Sequence, residues 1–102
     1  MTEKNITNRI IKRIHTTYPM SHVRKRLSTG ATNTTGWPDI TGHIAGIRVE
    51  IEVKQPGCKP TKIQRSKIRK FNKNNCIAIW CDSVESCIRK LDYRLSRWRS
   101  FY

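Results

Sequence analysis

In the stretch Ile47-Arg48-Val49-Glu50-Ile51-Glu52-Val53-Lys54 every odd position is Ile or Val and every even one is charged. Alternation with a period of two specifies a half-buried β-strand with one apolar face. Glu50, Glu52 and Lys54 therefore share the other face. The segment before it, Asp39-Ile40-Thr41-Gly42-His43-Ile44, reads as its hairpin partner. Ala45-Gly46 is then the turn, because Gly46 takes a positive φ without steric penalty. This pairing brings Asp39 near Glu52.

Two carboxylates and an ammonium on one side of a hairpin suit a divalent-metal site for cutting phosphodiesters. Mg²⁺ takes hard oxygen ligands in near-octahedral geometry and keeps several waters, so two carboxylates and one backbone carbonyl suffice on the protein side. A metal held this way acidifies water, polarises a phosphoryl oxygen and steadies the leaving oxygen. The spacing alone leaves another reading open, since Glu-x-Lys also lines the wet face of ordinary strands.

Charge shifts the balance between these readings. The 102 residues carry 21 Lys and Arg against seven acids, a formal charge of +14. A chain of this length buries one modest core, so residues 1–102 are expected to form a single domain. So lopsided a charge is the electrostatic footprint of a polyanion-binding protein, with nucleic acid as the partner. Yet Asp39, Glu50 and Glu52 fall in one hairpin. Carboxylates where a phosphate must approach make physical sense when a cation sits between them.

No run approaches the roughly 18 apolar residues of a membrane span, and the start Met1-Thr2-Glu3-Lys4-Asn5 lacks the apolar region of a signal peptide. The expected location is the cytoplasm. Cys58, Cys76, Cys81 and Cys87 show no Cys-x-x-Cys pair, so they read as free thiols, with Cys76 and Cys87 at apolar positions of their elements.

Ile6, Ile10, Ile14 and Tyr18 recur at helical spacing, which predicts a helix over about 3–17 with Thr2 as N-cap, ending before Pro19. A strand-like segment at His22 to Leu27 precedes a polar loop up to Pro38. Thr61 is expected to cap a helix over about 62–73 that carries Lys62, Arg65, Lys67, Arg69, Lys70 and Lys73. No acid lies between Lys54 and Asp82 to pair with them, so with nearby Lys59 they are assigned to phosphate contact. Cys76-Ile77-Ala78-Ile79-Trp80 suits a buried strand. Asp82 or Ser83 caps a last helix whose stripe Val84, Cys87, Ile88, Leu91, Leu95 and Trp98 runs on to Phe101 and Tyr102. That stripe either packs on its own sheet or exceeds one core and makes a homodimer contact.

With these residues in view, the chain resembles the virus-type replication-repair nuclease (VRR-NUC) family, a small branch of the PD-(D/E)xK nucleases. The resemblance rests on Arg26-Leu27-Ser28-Thr29-Gly30, Gly36-Trp37-Pro38-Asp39-Ile40-Thr41-Gly42, Val49-Glu50-Ile51-Glu52-Val53-Lys54 and Gln64, and covers about residues 3 to 88. Archaeal Holliday-junction resolvases are similar in outline. The fold it implies is α/β, a restriction-endonuclease-like core in which helices flank a small mixed sheet in the order αβββαβα.

By that resemblance, Asp39 and Glu52 are metal carboxylates for Mg²⁺ or Mn²⁺, with the Val53 carbonyl as the third protein ligand. Lys54 orients the attacking water and meets developing charge, Gln64 lies near the scissile phosphate, and Glu3 supports the site from the first helix. Glu3 also reads simply as a helix-start acid. Arg26, Ser28 and Gly30 match a segment beside the site where Arg26 can hold a phosphate, joined by Arg24 and Lys25. Glu50 has no counterpart in the family pattern. His43 shares the face of Asp39 and Thr41 if alternation holds, but the branch needs no histidine.

The implied activity is hydrolysis of DNA, leaving 5′-phosphate and 3′-hydroxyl ends. Branched DNA such as a four-way junction is the expected substrate, cut by a homodimer, and a compact nuclease of this kind suits a phage genome. Two other readings compete: a non-enzymatic basic nucleic-acid binder stacking through Trp37 or Tyr18, and a nuclease subunit that acts only with a partner.

Overall fold

Ile6, Ile10 and Ile14, one helical turn apart, generate the first helix, α1, over Glu3–Thr17 in the computed structural model of the chain, which describes residues 2–27 and 35–98. Thr2 caps α1 by accepting the Asn5 N–H at 3.2 Å. Three strands follow, β1 (Ser21–Lys25), β2 (Ile40–Ile44) and β3 (Ile47–Val53), then α2 (Lys62–Lys73), β4 (Ile77–Cys81) and α3 (Val84–Trp98). The sheet runs β1-β2-β3-β4. The first three strands pair antiparallel, while β4 runs parallel to β3. A parallel neighbour needs a crossover, and α2 supplies it.

All three helices are capped where expected. Thr61 and Gln64 form a reciprocal capping box at the start of α2, with the Gln64 side chain accepting the Thr61 N–H at 2.8 Å. Ser83 rather than Asp82 caps α3, its hydroxyl accepting the Ser86 N–H at 3.1 Å. The two predicted single strands shift at their ends: the first is Ser21–Lys25 and the last extends to Cys81. In the β2–β3 turn Ala45 has φ 50° and Gly46 φ 81°. Two positive φ values suit the twist of a two-residue hairpin. Gly42 meets a different demand, since a Cβ there would lie 2.1 Å from the His22 carbonyl oxygen of β1.

Ile6, Ile10 and Ile14 of α1, with Cys87 and Leu91 of α3, cover one face of the sheet, against Val23, Ile40, Ile44, Val49, Ile51, Val53, Ile77 and Ile79. Val84, Ile88, Leu95 and Trp98 pack partly buried against the same core. The α3 stripe is therefore accommodated within the chain as far as Trp98. Phe101 and Tyr102 lie outside the described residues, as do Ser28 and Gly30.

One expectation is corrected. β3 is not half-buried: Val49 through Val53 are all buried, with Glu50 0 % and Glu52 2 % exposed. It lies between β2 and β4, and α2 roofs its charged face through contacts such as Gln64 to Glu52. Among the described residues, no helix is long and apolar enough to cross a membrane.

Candidate metal and nucleic-acid site

Asp39 precedes β2 directly, and its carbonyl accepts the Arg26 N–H at 2.7 Å, which extends the β1–β2 ladder by one rung. Its carboxylate Oδ2 accepts the Val53 N–H at 2.8 Å. Asp39 is thereby pinned at the C-terminal end of β3, beside the backbone of Val53. Glu52 projects from β3 under α2, where Gln64 Nε2 donates to its Oε2 at 3.2 Å. Lys54 Nζ stands 3.9 Å from the same oxygen. Asp39, Glu52, Lys54, Gln64 and Val53 thus come together, although they enter from the approach to β2, from β3 and its end, and from α2.

The electrostatics of this corner are those of excess negative charge. Burial pushes the Glu52 carboxyl up to about 8, the neighbouring Asp39 carboxylate adds to the rise, Lys54 opposes it, and Glu3 contributes a little more. Glu3, half-buried in the first turn of α1, is therefore close enough to be felt. Two carboxylates are both acceptors, so the Asp39–Glu52 contact becomes a hydrogen bond only when one is protonated. Glu52 Oε1 is buried without any hydrogen-bond partner. A buried orphan acceptor beside a second carboxylate is what a hard cation satisfies. Among the described residues no three or more His, Cys, Asp or Glu side chains converge on one point. Two carboxylates, backbone oxygen and water nevertheless meet the needs of Mg²⁺ or Mn²⁺, and the residues fit such an ion.

Arg26 lies inside the structure. Its guanidinium pairs with Glu50, its Nε donates to the Pro38 carbonyl at 2.9 Å, and it stacks 4.8 Å over the Trp37 ring. Glu50 also accepts from the Thr41 hydroxyl and from Arg48 Nε at 3.2 Å. Sequence reasoning grouped Glu50 with Asp39 and Glu52 as hairpin carboxylates but gave it no role of its own. The available signal was its register: Thr41 faces it across the hairpin and Arg48 lies two residues before it on the same face.

Arg24, Lys25, Lys59, Lys62, Arg65 and Arg69 are exposed, and none takes part in an ion pair among the described residues. Trp37 stands edge-on to Phe71 with centroids 5.7 Å apart, and Lys67 Nζ lies 5.5 Å above its ring. His43 is exposed near the hairpin turn, its ring 6.2 Å from that of His22. All four cysteines are free, with Cys58 exposed and the other three buried.

No family model matches the sequence, and no curated protein matches it. Solved structures do. A chain described as a VRR_NUC domain protein superposes with a TM-score of 0.68 at 16 % identity, covering 91 % of this chain and 87 % of its own. A second, described as a VRR_NUC domain, gives 0.68 at 20 % identity over 90 % of this chain and 97 % of its own. The chain therefore has the VRR_NUC fold, as the motifs implied, with nearly complete coverage in both directions.

Proposed function

We propose that this protein is a Mg²⁺- or Mn²⁺-dependent nuclease that hydrolyses DNA phosphodiesters. The observation that carries the reading is the Asp39–Glu52 pair: two adjoining carboxylates, one with a buried unpartnered oxygen, in a chain of formal charge +14. A site for phosphate alone has no use for them. Asp39, Glu52 and the Val53 carbonyl are the ligands proposed for the ion. The chemistry such an ion supplies is Lewis-acid polarisation of a phosphoryl oxygen and acidification of water.

The chain's own residues do the rest. The Lys54 ammonium, 3.9 Å from Glu52 Oε2, is the group that holds the attacking water and meets the negative charge that grows on the phosphate. Gln64 fixes the Glu52 carboxylate by donating to Oε2, so that Oε1 is left for the ion. Glu3 adds negative charge from α1. The unpaired cations Lys59, Lys62, Arg65 and Arg69, with Arg24 and Lys25, seat the sugar–phosphate backbone beside the site.

Branched DNA, in particular a four-way junction, is the substrate we propose, on the strength of the motif resemblance. A homodimer would set two sites against two strands. As far as Trp98 the α3 stripe packs on the chain's own core, but an apolar groove lined by Tyr18, Met20, Ile44, Ile47 and the stripe's Leu95 is available for the interface, with Met20 76 % exposed. Light scattering at micromolar concentration should give twice the chain mass, and a single-chain mass removes the dimer. For the site itself, calorimetry should show Mn²⁺ binding that Asp39→Ala abolishes. A protein that binds DNA but takes up no Mn²⁺ is a basic binder and not a nuclease.

A further inference from the structure

Glu50 is 0 % exposed, and its two carboxylate oxygens are engaged by Arg26, Thr41 and Arg48. It belongs to the same strand face as Glu52, yet it is turned to these donors and not to the carboxylate pair. A buried ion pair is weak evidence of a stabilising role, because replacing both partners by apolar residues of similar volume is often neutral or stabilising. Stability alone therefore gives little reason for a carboxylate at this position. What the pair does accomplish is visible in the other contacts of Arg26. Its Nε holds the Pro38 carbonyl at 2.9 Å, its backbone N–H holds the Asp39 carbonyl at 2.7 Å, and its guanidinium lies 4.8 Å from the Trp37 ring centroid. One residue grips three consecutive positions, Trp37 and Pro38 through its side chain and Asp39, which carries the carboxylate at the centre of the site, through its backbone N–H. Glu50 fixes that grip from below, because an anchored guanidinium has one orientation and a free one has many.

We infer that Glu50 and Arg26 form a positioning pair for Asp39: Glu50 orients Arg26, and Arg26 holds the Pro38–Asp39 backbone so that the Asp39 carboxylate meets Glu52. Arg26 is then a clamp within the protein and not a phosphate contact. The inference rests on the metal-nuclease reading. Outer partners that orient metal ligands typically account for about 10- to 100-fold in metal affinity, and that is the effect expected here.

The test measures Mn²⁺ affinity by calorimetry in wild type, Glu50→Gln, and the apolar pair Arg26→Met with Glu50→Leu. The second readout needs no metal: exchange of the Val53 amide, which reports the Asp39 carboxylate directly through its 2.8 Å hydrogen bond. Glu50→Gln should bind Mn²⁺ about 10- to 100-fold more weakly and exchange its Val53 amide faster. The apolar pair should keep its melting temperature and show the same loss, which a purely structural role would not produce. Should Glu50→Gln fail to fold, the apolar pair carries the test. Variants that fold and bind Mn²⁺ as wild type does, with Val53 protection unchanged, overturn the inference alone. A wild-type protein that binds no Mn²⁺ overturns the metal reading and this inference with it.

Discussion

Glu52 combines two roles that oppose each other at the scale of a single residue: it is placed for an ion, and it is uncomfortable without one. Its carboxyl, ordinarily near 4.5, is pushed up to about 8 by burial and by Asp39. Between these values the folded metal-free protein holds a proton that the unfolded chain has released. The contribution of Glu52 to stability therefore falls as pH rises from about 4.5 to 8, by at most about 1.4 kcal/mol per pH unit. Denaturant titrations of metal-free protein across this range should show the decline. Glu52→Gln should remove that part of the decline, so at pH 8 it should melt higher than wild type while losing cleavage. Added Mn²⁺ should raise the melting temperature of wild type and leave the variant unmoved. A variant that melts lower than wild type at pH 8 would show that burial is not the dominant influence on this carboxyl. Residues with a direct chemical signature, Asp39, Glu52 and Lys54, could be read from the sequence because alternation fixes which face they occupy. Glu50 could not, since the same alternation gives it the same face, and only its partners Arg26, Thr41 and Arg48 separate it from the carboxylate pair.

Elements succeed or fail at the edges of the sheet, and on both edge strands a side chain takes up backbone groups at one residue. On β1 the Val23 N–H donates to His15 Nε2 of α1 at 3.1 Å. On β4 the Asn72 side chain accepts the Ala78 N–H at 2.9 Å and donates to the Ala78 carbonyl at 3.1 Å, while Arg94 donates to Asn72 Oδ1 at 2.8 Å. Open strand edges invite pairing with other chains, and these contacts occupy Val23 at the middle of β1 and Ala78 on β4. Asn72→Ala leaves the Ala78 N–H of a buried strand unpartnered and its carbonyl held only by Arg94 Nη1 at 3.5 Å, and should cost about 1–3 kcal/mol in chemical denaturation. Mn²⁺ affinity should be unchanged, because Asn72 touches none of the proposed ligands. Gly42→Ala should be worse, since its Cβ would press on the β1 backbone, and loss of the β1–β2 pairing should appear as faster amide exchange along β1. Helix and strand positions were legible wherever periodicity or a cap was strong, as in α1, α2 and the β2–β3 hairpin. The burial of the charged face of β3 was not legible. Its cover, α2, contributes no fully buried residue, so no apolar stripe announces that this helix lies on the sheet.

For the whole molecule, the dominant quantity is charge. With 21 cationic residues against seven acids, the DNA affinity proposed for the chain should be governed by counterion release and fall steeply with salt whatever the sequence bound. Replacing Lys62, Arg65 and Arg69 together by Ala should weaken binding about equally on all DNA sequences, and should lower the slope of log affinity against log salt by about 2 to 3. A fluorescence-anisotropy titration over a salt series reads both, and an unchanged slope would move the DNA to another face. The fold of the whole chain was legible because short motifs recur in the order and spacing of one architecture; substrate shape was not, since phosphate contacts position a protein without reading what the DNA is. The central claim is that this basic chain cuts DNA by means of the carboxylates it keeps and the ammonium beside them. The measurement is cleavage of a labelled four-way junction and its matching linear duplex, with Mg²⁺, Mn²⁺ or EDTA, by wild type and Lys54→Ala. Cutting that requires the metal, favours the junction and is lost in Lys54→Ala is the predicted result. Tight DNA binding without cleavage in either metal, or cleavage undiminished by EDTA and by Lys54→Ala, would contradict it.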